Sequence, residues 1–238
     1  MNTLLLDDER LDDLGNGYSI IQKNDSYRFT SDSVLLANYV VASGKSKVVD
    51  LCSGSGIVGV LVAIKNSVSS MTLLELQPSL AEMSKRTVEL NGIKNVDVLT
   101  ADVKTASEIL GKEVFDVVCS NPPYYRVGEG KMSDQWDIAV CRHELELNLQ
   151  QLVKSAADLL KFGGKFYVVY RSDRLAELIC ALTDNKLEPK DITLVLPAPK
   201  KEVDTVLVCA KKGAEKGVRV RTFLRSDVEA DYGILKRK

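Results

Sequence analysis

The chain has 238 residues, with 32 Lys and Arg against 33 Asp and Glu, a formal net charge of −1, and 45% hydrophobic residues. That hydrophobic content excludes a disordered chain, and the lack of a sustained short repeat excludes a collagen or coiled-coil rod. No apolar run reaches the roughly 18 residues of a membrane helix, and the acidic start at 1–13 lacks the basic region of a secretory signal.

In chain order, residues 17–22 are expected to pair with 27–29 as a small hairpin, and 32–42 read as a helix. Residues 47–51 (KVVDL) form a short apolar strand that runs into a glycine-rich turn, and 57–65 have helical character. The next strand is 71–75 (MTLLE). Pro78 then opens a helix with Leu80, Met83 and Val88 as its apolar positions, and Asn91-Gly92 stops it. A third strand at 96–100, a short helix at 103–110 and a near-continuous apolar strand at 114–120 follow. Apolar residues at 145, 149, 152, 156, 159 and 160 step by three and four, which predicts a helix over 145–162 ended by Gly163-Gly164. A strand at 165–170, a helix at 173–185 and a closing strand pair at 193–196 and 205–210 complete the pattern.

Alternating helices and fully apolar strands predict an α/β fold: a parallel sheet covered by helices on both faces. At roughly 150 residues per domain, the length suits one large domain with trimmings. The expected division is an N-terminal extension at 1–43, a core at 44–212 and a basic tail at 213–238. Residues 190–238 hold twelve basic and seven acidic residues. They read either as solvated loop and tail or as a basic lip for a polyanion. The five cysteines are odd in number, widely spaced and mostly in apolar runs, which points inside the cell, to the cytoplasm, and away from a disulfide scaffold. With a single histidine, His143, no metal site is expected.

Two constellations carry chemistry. Asp50-Leu-Cys-Ser53-Gly54-Ser-Gly56-Ile-Val-Gly59 stands at the carboxyl end of the first core strand and opens a helix. Glycines there let the backbone approach a ligand, and the helix N-terminus offers free N–H groups. Taken alone, Gly54-x-Gly56-x-x-Gly59 also matches a dinucleotide fingerprint. Glu75 ends the next strand, where a carboxylate takes two ribose hydroxyls in nicotinamide and adenosylmethionine binders alike. Asp102 follows the third strand, placed to accept from an adenine amino group, to cap its helix, or both. The second constellation, Asn121-Pro122-Pro123-Tyr124, follows the fourth strand on the same sheet edge. Asn offers a carbonyl and an amide, Pro122 a carbonyl without an N–H, and Tyr124 a flat face. Together they make two acceptors and a stacking platform for a planar NH₂ group.

Asp50-x-x-x-Gly54-x-Gly56 resembles the first motif of class I S-adenosylmethionine methyltransferases, and N-P-P-Y resembles the fourth motif of amino-methyltransferases. Phe29-Thr-Ser-Asp32-Ser-Val-Leu-Leu-Ala37, Cys141-Arg142-His143-Glu144 and Phe162-Gly-Gly-Lys-Phe-Tyr are similar to stretches of a bacterial tRNA methyltransferase family. That family acts on N6 of the adenosine 3′ of the anticodon in a valine tRNA. The resemblance implies a Rossmann-like sheet of seven mostly parallel strands, the last antiparallel, with S-adenosylmethionine as cofactor and tRNA as partner. It implies a cofactor site of Asp32, Asp50, Ser53, Gly54, Gly56, Glu75 and Asp102, with Asp32 alternatively a cap of its helix, and catalytic Asn121, Pro122 and Tyr124. Pro123, Arg126, Lys131, Arg142 and His143 would face RNA, with Arg142 and His143 alternatively an ion cluster at a helix start. Lys211, Lys212, Arg219 and Arg221 in the tail are expected to meet phosphates. The other substrates such a core serves are an rRNA guanine amine and a protein glutamine amide.

Overall fold

A hairpin opens the computed structural model, which describes residues 5–24, 29–123, 147–199 and 201–225. Its strands are β1 (Glu9–Gly15) and β2 (Tyr18–Lys23), antiparallel. Asn16 and Gly17 turn the chain with φ of 54° and 84°, the left-handed pair that tight hairpins use. The partner of β2 is therefore β1 rather than the expected 27–29, of which residues 27 and 28 lie outside the described residues. β1 was illegible because it is a polar strand: only Glu9 and Leu14 are buried along it.

The core alternates as the apolar runs predict. It comprises α1 (Ser31–Tyr39), β3 (Lys47–Leu51), α2 (Ile57–Asn66), β4 (Ser70–Glu75), α3 (Pro78–Leu90), β5 (Val96–Thr100), α4 (Ala106–Leu110) and β6 (Phe115–Ser120). Then come α5 (Leu149–Leu159), β7 (Leu160–Arg171), α6 (Leu175–Asp184), β8 (Leu187–Leu196), β9 (Thr205–Lys212) and β10 (Arg219–Leu224). The sheet order is β10-β8-β9-β7-β6-β3-β4-β5. β9 runs antiparallel to both β7 and β8, and every other pairing in this sheet is parallel.

Two further sequence expectations change. The sheet has eight strands, not seven, because the basic tail supplies β10, parallel to β8. An exposed edge strand carries no apolar alternation to betray it. The helix expected to end at Gly163-Gly164 ends at Leu159, and both glycines lie inside β7. The paired register slips between Phe115↔Leu160 and Val117↔Lys165, so the strand starts early and carries an irregularity. α5 itself begins in a capping box, with Asn148 accepting from the Gln151 N–H and Gln151 accepting in return.

On one face of the sheet Leu36 of α1 and Val60 and Leu61 of α2 cluster with Met71 of β4, and on the other Leu152 and Ala156 of α5 and Leu178 of α6 cluster with Phe166 of β7. Residues 57–63 of α2 are all buried, so this helix is apolar all round. Among the described residues no helix is long and apolar enough to cross a membrane.

Candidate cofactor and substrate site

Strand order reverses between β3 and β6: the chain goes from β3 outward through β4 to β5, then returns to β6 on the other side. The crevice at such a reversal, beyond the carboxyl ends of the strands, is where open α/β sheets bind ligands. Leu51 stands opposite both Leu74 and Ser120. The glycine turn after β3, Glu75 at the end of β4 and Asn121 after β6 therefore leave the sheet at one level, side by side.

The glycine turn is held from below and from both sides. Asp50 is fully buried; its Oδ2 accepts the Gly59 N–H at 2.9 Å and its Oδ1 lies 3.7 Å from the Cys119 thiol. Glu75 accepts the Gly54 N–H at 2.8 Å with one oxygen and the Gln77 N–H at 2.9 Å with the other. Ser84 Oγ donates to the Gly54 carbonyl at 3.1 Å. Gly56 takes φ 84° at the start of α2, a conformation that excludes most side chains. A Cβ on Gly59 would lie 2.1 Å from Leu73, so this glycine lets α2 pack directly on the sheet. Cys52, with φ 59°, is a left-handed residue that the motif did not reveal.

Burial governs the charges here. It pushes the Asp50 carboxyl up to about 7, against the pull of the Gly59 N–H and the Cys119 thiol and with a further push from Glu75. Burial also raises Glu75, opposed by the Gln77 and Gly54 N–H groups. The Cys119 thiol is raised well above its ordinary value by burial and by Asp50, so it is no nucleophile.

The turn fits S-adenosylmethionine. Among the described residues the buried Ser53 Oγ has no hydrogen-bond partner, and the Glu75 oxygens keep lone pairs beyond their two backbone bonds. A hydroxyl-bearing ribose and an amino-acid tail would supply the missing donors and acceptors. Asp102 caps the short turn at 103–105 through the Lys104 N–H at 2.8 Å and pairs with the Lys104 ammonium at 3.1 Å. The capping job is thus taken, with about a third of its side chain left exposed.

Asn121 is oriented by a residue the sequence did not single out. Its Nδ2 donates to Ser33 Oγ at 2.8 Å, while its Oδ1 is buried and has no partner among the described residues. Pro122 is buried beside it. Tyr124, Arg126, Lys131, Arg142 and His143 lie outside the described residues.

Asp32, beside Ser33 in sequence, is held by the C-terminal segment. Its Oδ1 accepts from Arg225 at 2.7 Å, and the same guanidinium reaches Ser31, Thr205 and Asp204. Burial works against the Arg225 charge, but Asp32 and Asp204 outweigh it and leave the pKa raised. These residues line a polar cavity of about 480 Å³ with Tyr170 and Arg171, and no residue of the glycine turn lines it. Basic residues near the C-terminal end also have partners in the body of the fold. Lys212 Nζ reaches the Ala157 and Leu160 carbonyls at 2.7 and 2.8 Å, and Arg219 and Arg221 pair with Asp191.

A switch-point crevice with a glycine turn, an acid ending the next strand and Asn-Pro-Pro beyond the fourth core strand defines a class I S-adenosylmethionine-dependent methyltransferase. The chain belongs to the methyltransferase small domain family, whose model matches residues 27–182. This sets aside the dinucleotide reading of the glycines. A Flavobacteriaceae bacterium relative is 26% identical over 153 residues, 64% of this chain, and the match spans 63% of that relative's length. A Porphyromonas gingivalis relative is 24% identical over 80% of this chain and 76% of its own. Both are named tRNA1(Val) (adenine(37)-N6)-methyltransferase. A predicted O-methyltransferase from Agrobacterium tumefaciens superposes with TM-score 0.64 at 28% identity, covering 81% of this chain and 86% of that one. The M. jannaschii TYW2 protein, solved with AdoMet, shares the fold with TM-score 0.61 at 15% identity, covering 86% of this chain and 85% of its own.

Proposed function

We propose that this chain transfers a methyl group from S-adenosylmethionine to the exocyclic N6 of an adenosine in tRNA, in the anticodon loop. One observation carries the reading: the buried Oδ1 of Asn121 beside the glycine turn, partnerless among the described residues. A buried acceptor left without a donor costs about 1–3 kcal/mol, and an amino group arriving in the crevice removes that cost. The names carried by the relatives support adenine N6 as that amine and tRNA as its carrier.

The lone pair of an adenine amine is delocalised into the ring, so the nitrogen is a poor nucleophile. Asn121 Oδ1 accepts one of its N–H bonds and the Pro122 carbonyl accepts the other, which favours a pyramidal nitrogen with its lone pair free. Ser33 holds the Asn121 amide so that the acceptor, not the donor, faces the amine. The cofactor supplies an electrophilic methyl on a sulfonium. Asp50 and Glu75 act by holding the glycine turn, and neither is asked to move a proton. The positively charged product nitrogen loses its proton to solvent, so the residues contribute positioning and dipole stabilisation. Tyr124 stacks on the extruded base, which an anticodon loop gives up at low cost. Asp102 and Ser53 complete the cofactor side, and Pro123, Arg126, Lys131, Arg142 and His143 the RNA side.

The test is to incubate the protein and tritiated S-adenosylmethionine separately with bulk tRNA, rRNA and release factor. Label confined to N6-methyladenosine in digested tRNA is the expected result. Label in rRNA guanine or in a glutamine side chain would replace the substrate named here.

A further inference from the structure

The hairpin β1–β2 lies outside the stretch matched by the family model, yet one of its side chains enters the cofactor turn. Gln22 is fully buried. Its Nε2 donates to Ser55 Oγ at 3.1 Å, between Gly54 and Gly56, and its Oε1 accepts the Phe29 N–H at 3.3 Å, just before α1. The side chain therefore ties together the hairpin, the glycine turn and the entry to the helix that carries Ser33.

The hairpin is itself anchored on α3, so this tie has a fixed far end. Arg86 clamps Glu9 with two bonds of 2.5 and 2.6 Å, and only 1% of the Glu9 side chain is exposed. The Ser19 and Asn91 groups exchange bonds of 2.9 and 2.7 Å, and the Ile21 N–H donates to Thr87 Oγ1 at 3.2 Å. Ile21 packs with Leu80 and Met83 of the same helix. α3 starts three residues after Glu75, which holds the neighbouring Gly54. The turn is thus gripped at Gly54 from the sheet and at Ser55 from the extension.

We infer that Gln22 is a positioning residue for the cofactor turn: through Ser55 it presets the backbone that cradles S-adenosylmethionine. A turn with several left-handed residues is costly to hold open, and each external bond that preorganises it lowers the ordering cost of binding. The inference rests on the turn being the S-adenosylmethionine cradle.

The test is titration calorimetry of S-adenosylmethionine into the full-length wild type, Gln22→Ala, Ser55→Ala and the double variant, with thermal unfolding measured without ligand. Gln22→Ala and Ser55→Ala are each expected to weaken binding about tenfold, and the double variant no more than either alone. A lowered melting temperature with unchanged affinity in Gln22→Ala makes the residue merely structural and overturns the inference. So do fully additive losses. If Gln22→Ala does not fold, wild-type affinity in Ser55→Ala overturns it equally, because that variant removes the same bond from the turn's side. Absence of binding by the wild type would sink the cradle itself, and the inference with it.

Discussion

At the scale of single residues, Asn121 and Ser33 make a donor–acceptor pair with one acceptor left over. Asn121→Ala removes that acceptor. Single-turnover methylation should fall roughly 10²–10³-fold, while calorimetry finds S-adenosylmethionine affinity retained, since the turn is held by other groups. Ser33→Ala leaves Asn121 in place but frees its amide to rotate. A loss of about tenfold in turnover is expected, with Ser33→Thr restoring most of it; equal loss in both variants would exclude the hydroxyl. Asp50 gives a pH prediction. Its folded pKa of about 7 exceeds the unfolded value of about 4. The folded state therefore holds this proton more tightly. The resulting stability is whole below the unfolded pKa, falls as pH rises toward 7, and the charged group costs on the order of a few kcal/mol above it. Urea midpoints of Asp50→Asn should decline less between pH 4.5 and 7.5 than those of the wild type, Glu75 leaving a residual slope of the same sign.

At the scale of elements, the two peripheral pieces dock by buried acids. Glu9 fastens the hairpin to α3, and Asp191 fastens β10 to the sheet by pairing with Arg219 and Arg221. The arginines are 84% and 50% exposed whereas Asp191 is 9% exposed, so the acid is the partner that organises the contact. Asp191→Ala should raise amide hydrogen exchange across 219–224 by about tenfold or more and leave 205–212 protected. Unchanged protection in β10 would mean that its backbone ladder with β8 suffices without the ion pairs. Past β10, Arg225 carries the tail onto Asp32 at the start of α1, close in sequence to Ser33. The C-terminal strand and the N-terminal hairpin thus both end on the segment that orients Asn121.

At the scale of the whole molecule, four of the twelve bases in the last 49 residues, Lys212, Arg219, Arg221 and Arg225, have acidic partners among the described residues. Each phosphate neutralised steepens the fall of RNA affinity with salt by close to one unit in the logarithmic slope. Arg221→Ala should therefore leave the slope of tRNA binding against salt within experimental error of the wild type. A slope reduced by about one unit would return this arginine to the RNA surface.

Local structure was legible in the chain of residues. Strand and helix order followed from apolar runs and their period, the glycine turn from residues that alone tolerate its backbone, and the Asn-Pro-Pro crevice from its place after an apolar strand. Three matters were decided only by tertiary structure. The polar strands β1 and β10 exist because a partner strand and a buried acid await them, and no periodicity announces that. The acid Asp32 meets Arg225, from 193 positions further along the chain. Gln22 and Ser33 find Ser55 and Asn121 across separations of 33 and 88 residues. Hydrogen-bond pairing between distant segments depends on which side chains the fold buries together, and a buried polar atom reveals its role only when its partner, or the lack of one, is in view.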